Sequence, residues 1–209
     1  KDFYETISEK YGYSKWDFKT QHSFKDSRGE EFSISLEQML SLYAYSKRAQ
    51  ADEHLEFGGF IFDDAIEVTE KNKFGIPMKY EVNDANPHRL SKIEVVEIIG
   101  KLTQEQRDFV DEMQTYLSEV MGAKGNEVSL AMYDIKLYKE KNYFPLKSAK
   151  YFREFDPEKN GTPKIKNSGF SKNTVPQAGN PIVLSNFMDV WANHVNDMSM
   201  YHAFVLPLE

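Results

Sequence analysis

The chain has 209 residues, of which 40% are apolar and 14% aromatic, enough for one globular core and too rich in core formers for a disordered chain. Its 26 basic and 33 acidic residues give a net charge of −7, which excludes nucleic-acid binding by bulk charge but not by a local patch. There is no cysteine, so a disulfide scaffold, thiolate zinc and thiol catalysis are excluded, and no apolar run approaches the roughly 18 residues of a membrane span.

Nothing near Lys1 resembles a signal peptide, and the apolar end from Phe204 to Glu209 stops without a polar tail. Both ends read as cuts in a longer chain. One excised domain is therefore expected, in a reducing, cytoplasmic setting.

Residues 3–16 carry Phe3, Tyr4, Ile7, Tyr11 and Trp16 at near-helical spacing, interrupted by Gly12. They read as a short helix or a clamp laid on the core. From 17 to 35 the apolar residues alternate: Phe18, Phe24, then Asp26-Ser-Arg-Gly29, then Phe32 and Ile34. Two alternating runs around a glycine turn predict a β-hairpin. Ser35 can cap a helix from Leu36 to about Ala51, with Met39, Leu40, Leu42, Tyr43 and Ala44 on its apolar face. Gly58-Gly59 breaks that pattern, and Phe60-Ile61-Phe62 reads as a short buried strand or loop. Turn residues crowd positions 63–90 and leave room for one strand at 78–82.

Ser91 can cap a helix carrying Ile93, Val95, Val96, Ile98 and Ile99. Thr103 and Gln106 then form a capping box, in which each side chain serves a backbone N–H the other residue leaves free. Phe109, Val110, Met113, Tyr116, Leu117, Val120 and Met121 follow as one stripe. Gly122 and Gly125 are expected to end this helix, and Asn126 to cap another, giving an antiparallel pair. Prolines and glycines fill 142–181, so a long crossing loop is expected. Asn180-Pro181 reads as the cap and first residue of a last helix. Its stripe runs through Leu184, Phe187, Trp191, His194, Met198 and Tyr201 and should pack on the helix at 103–121. The fold class expected is α+β and mainly helical: a helix pair, a C-terminal helix and a small antiparallel hairpin or sheet from the N-terminal half. The four stretches are 1–87, 88–141, 142–180 and 181–206.

Charge is uneven. Residues 141–172 carry 8 basic and 3 acidic side chains, whereas residues 173–209 have no lysine or arginine at all. In the basic stretch Lys147, Lys150, Arg153, Lys164 and Lys166 alternate with Tyr143, Phe144, Tyr151 and Phe152. That mixture suits single-stranded DNA or RNA, because cations neutralise phosphates and rings stack on bases. The simpler reading is that the rings pin the loop to the core while the lysines stay in water.

No HExxH, G-x-S-x-G, Walker or G-x-G-x-x-G pattern occurs, so no catalytic residue, cofactor or metal ligand is assigned, and no structural transition metal is expected. His88 lies in a turn-rich stretch, and His194 and Asp197 are three apart on one helix. These three are the remaining candidates for a His/carboxylate hydrolase or transferase site, with His88 or His194 as general base.

The run Thr103-Gln-Glu-Gln-Arg-Asp-Phe-Val-Asp-Glu-Met-Gln114, then Gly125-Asn126, Lys141-Asn-Tyr-Phe-Pro145, Trp191-Ala-Asn-His-Val-Asn-Asp-Met-Ser-Met-Tyr201 and Phe204-Val-Leu-Pro207 form a pattern. Over about residues 88–209 it resembles an associated domain of the large polyvalent proteins of phages and conjugative elements. The resemblance implies a domain lying beside effector domains in a long chain and assigns no catalytic residue. The function expected is thus a non-catalytic accessory or interaction domain of such a protein. Its expected partners are neighbouring domains of the parent, a second copy through the C-terminal helix and, weakly, DNA or RNA; a membrane is not among them.

Overall fold

A computed structural model describes residues 2–62, 66–71, 77–82, 86–146 and 181–205. In chain order the elements are α1 (Phe3–Tyr11), β1 (Gln21–Lys25), β2 (Glu31–Ser35), α2 (Leu36–Ser46), α3 (Ala51–Phe57), β3 (Phe60–Ile61), β4 (Ile66–Lys71), β5 (Pro77–Val82), α4 (Lys92–Gly100), α5 (Gln104–Thr115), α6 (Gly122–Tyr133), β6 (Ile182–Val183) and α7 (Phe187–Val205). The class is α+β and mainly helical. β1 and β2 form the expected antiparallel hairpin, with Phe24 opposite Phe32 and His22 opposite Ile34. β4 and β5 pair in the same sense, while β3 and β6 make a short parallel pair.

Local chemistry fixes the helix starts. Ser35, Ser91 and Thr103 each accept a backbone N–H from the first turn of the helix that follows. Gln38, Glu94 and Gln106 return the bond, so all three starts are capping boxes. α2 lies at the centre, packed by α4, α5 and α7. Its Leu40, Leu42 and Ala44 are inaccessible to solvent.

Three expected boundaries move. The helix from Leu36 stops at Ser46, because Gln50 takes a left-handed φ of 63° and starts α3 in a new direction. The break expected at Gly122–Asn126 is absent. Tyr116–Met121 continue α5 with wider π spacing, the Gly122 N–H reaching back to the Leu117 carbonyl, and α6 runs on to Tyr133. Gly125 serves a close approach instead: a Cβ there would lie 2.6 Å from Met198 Cε and from the Tyr138 ring. The short-linked helices of this region are α4 and α5, joined through 101–103.

The last helix begins at Phe187 rather than Pro181. Ile182 and Leu184 donate to the carbonyls of Gly59 and Ile61, at 3.0 and 2.8 Å, which draws 182–184 into a strand. Proline, lacking an N–H, is tolerated at the start of that strand. α7 then receives its cap from another element: Met188 N–H donates to Glu37 Oε2 of α2 at 3.0 Å, and Tyr13 donates to the same carboxylate.

The expected packing of this helix is present. Trp191 is buried against α5 and donates its indole N–H to the Met113 carbonyl at 3.1 Å. Met113 and Leu117 are buried. Phe187 stacks on Phe144, centroids 5.0 Å apart.

Candidate functional site

The hairpin turn and the segment after Pro87 meet because β3 holds them together. Phe60 and His88 exchange backbone hydrogen bonds at 2.8 Å in both directions. This approach requires glycine at position 59: its φ is 72°, and a Cβ would lie 2.3 Å from the His88 carbonyl oxygen. From the other side, Ser27 gives both its backbone N–H and its hydroxyl to the Arg89 carbonyl, at 2.9 and 2.6 Å. His88 is thereby fixed among the rings of Phe32, Phe60 and Phe62, with centroid distances of 4.9, 5.4 and 6.1 Å.

Its polar neighbours come from the turn. The Asp26 side chain is fully buried, and its Oδ1 accepts the backbone N–H groups of Arg28 and Glu30, both at 2.9 Å. The other carboxylate oxygen faces the Arg28 guanidinium at 3.1 Å and His88 Nδ1 at 3.5 Å. Glu30 Oε2 takes the same guanidinium nitrogen at 2.9 Å. Burial alone would raise the Asp26 carboxyl; the two backbone N–H donors and Arg28 outweigh it and bring it below the usual range. His88 Nδ1 is buried and has no hydrogen-bond partner. One ligand atom each from Asp26, Glu30 and His88 lies within 4.8 Å of the others.

The other candidate pair is not assembled. His194 is buried, and Asp197 on the same helix is exposed. The His194 ring packs on Tyr143 at 5.3 Å, and burial pushes its pKa down to about 4, so the imidazole is neutral. His54 shares a 2.5 Å hydrogen bond with Tyr45, and His202 pairs with Glu127 at 2.8 Å. An open cleft of about 390 Å³ between the hairpin and the start of α7 is lined by Gln21, Ser33, Gln38, Phe62 and Asp189 among others. None of the candidate histidines lines it.

The nucleic-acid candidates Lys147, Lys150, Tyr151, Phe152, Arg153, Lys164 and Lys166 lie outside the described residues. At the start of that stretch Phe144 is buried and Tyr143 partly so, so Phe144 presents no face to a base. These two rings act as core anchors.

Residue spacing alone did not join Asp26 and Glu30 to His88. The hairpin could be read from local alternation; its clamp on residues 86–90 rests on tertiary backbone pairing that leaves no local pattern. Among the described residues no helix is long and apolar enough to cross a membrane. The chain matches no family model, no curated protein and no solved structure.

Proposed function

We propose that this chain is a non-catalytic interaction domain of a large multidomain protein of a phage or conjugative element, docking neighbouring parts of its parent. The observation that carries this reading is the apolar surface at the adjoining C-terminal ends of α6 and α7. Tyr201 of α7 hydrogen-bonds Tyr138 beside α6, and Gly125 of α6 lies close against Met198 of α7, so the two helices adjoin here. On α7 Phe204 is 75% exposed and Met200 is open to solvent; on α6 Tyr133 is 56% exposed and Leu130 and Met132 are open, as is Ile135 just beyond it. Scattered apolar residues on a surface are ordinary; a concentration of large ones marks a contact surface. No lysine or arginine lies between Pro181 and Val205, so the α7 face lacks the cationic fringe of a helix meant for water.

The neutral, buried His194 and the outward Asp197 do not support general-base chemistry at that pair. The reading in which residues 141–172 contact nucleic acid rests on the sequence of that stretch and comes second.

Hydrogen exchange tests the first reading. Amides at 130–135 and 199–204 should exchange more slowly in the full-length parent than in the isolated chain. Equal exchange in both contexts would leave the surface uncovered and reject the proposal.

A further inference from the structure

The Asp26 cluster gathers three acceptors on a single guanidinium nitrogen. Arg28 Nη2 carries two hydrogens but faces three acceptors: Pro87 O at 2.7 Å, Glu30 Oε2 at 2.9 Å and Asp26 Oδ2 at 3.1 Å. Two hydrogens are thus shared among three acceptors, of which Glu30 also reaches solvent. His88 Nδ1 is buried, makes no hydrogen bond and lies 3.5 Å from Asp26 Oδ2. Two carboxylates against one guanidinium leave the group negative. A divalent cation would neutralise that charge more fully than the guanidinium does.

We propose that Asp26, Glu30 and His88 form a binding site for one divalent first-row cation of the zinc type, taken up in competition with the Arg28 guanidinium. Two carboxylate oxygens and one imidazole nitrogen are a mixed donor set that suits such ions better than Mg²⁺ or Ca²⁺, which prefer oxygen alone. Asp26 is oriented in advance, since its Oδ1 is occupied by two backbone N–H groups and its Oδ2 is turned to the cluster. The ring of His88 is fixed by three aromatic neighbours. Glu30 is 47% exposed and gives the ion a path in. Arg28 can yield without leaving, because its other nitrogen faces Asn86 Oδ1 at 3.5 Å and Nη2 also holds the Pro87 carbonyl. Spacing alone could not have suggested this site, because its histidine comes from beyond β5 and its carboxylates from the β1–β2 turn.

Titration calorimetry of the metal-free chain with ZnCl₂, and separately with MgCl₂, tests this. One equivalent of Zn²⁺ should bind and Mg²⁺ should not. Glu30→Gln, at an exposed position that should not disturb folding, should weaken Zn²⁺ binding at least tenfold, and His88→Gln should do likewise. Arg28→Gln should tighten it, because the competing cation is gone; a purely structural ion pair would gain no affinity from that change. Absence of Zn²⁺ binding to both the natural chain and Arg28→Gln would overturn the proposal. So would binding indifferent to Glu30→Gln and His88→Gln.

Discussion

Trp191 and His194 sit on the buried side of the same helix and meet different requirements there. Trp191 brings a donor and finds the Met113 carbonyl, so its burial leaves no polar atom orphaned. His194 is kept neutral by burial, with a pKa of about 4 against about 6.5 in an unfolded chain. Below about pH 6.5 the unfolded chain takes up a proton that the folded chain refuses until about pH 4. The contribution of this residue is therefore constant above neutrality and is lost as pH falls through that window. Its ceiling is about 3 kcal/mol, at 1.36 kcal/mol per unit. Urea midpoints at pH 7.5 and pH 4.5 should show a larger loss for the natural chain than for His194→Gln. An equal loss in both would mean that the acid sensitivity comes from other groups.

The helix from Gln104 to Tyr133 shows how packing overrides a local signal. Glycine is a common helix terminator, and two of them stand at 122 and 125, yet the chain stays helical through both. The two positions differ in their surroundings. A Cβ at Gly122 would meet the Leu117 carbonyl at 3.5 Å, ordinary contact, so Gly122→Ala should stabilise by about 0.5–1 kcal/mol through helix propensity. At Gly125 the same atom would press on Met198 and Tyr138 at 2.6 Å, so Gly125→Ala should destabilise by about 1–3 kcal/mol. Opposite signs in denaturant titrations are expected. The same sign at both would show that α6 and α7 do not meet this closely. The caps at Ser35 and Ser91, the capping box at Thr103, the hairpin and the Trp191 stripe could be read from sequence because each depends on residues within a few positions. The strand at Ile182–Val183 and the cap that Glu37 provides to α7 could not, because each depends on an element far away in the chain.

At the scale of the molecule, the mainly helical α+β class followed from patterning, while the candidate site did not. His88 stood out as a residue, but its carboxylate neighbours arrive through the hairpin clamp. Conversely, His194 and Asp197 looked paired at a spacing of three and are separated by the core boundary. The apolar ends of α6 and α7 were half legible. A last helix without lysine or arginine promised broad coverage, and the structure buries the Trp191 side while leaving Met200 and Phe204 in solvent. That exposed surface is the basis for reading the chain as a docking domain. The most direct measurement is photo-crosslinking in the full-length parent, with the reactive side chain placed at Phe204 and, as a control, at exposed Lys19. The account predicts that position 204 crosslinks to peptides of the parent outside residues 1–209, and does so well above position 19. Crosslinking at 204 no higher than at the control would contradict it.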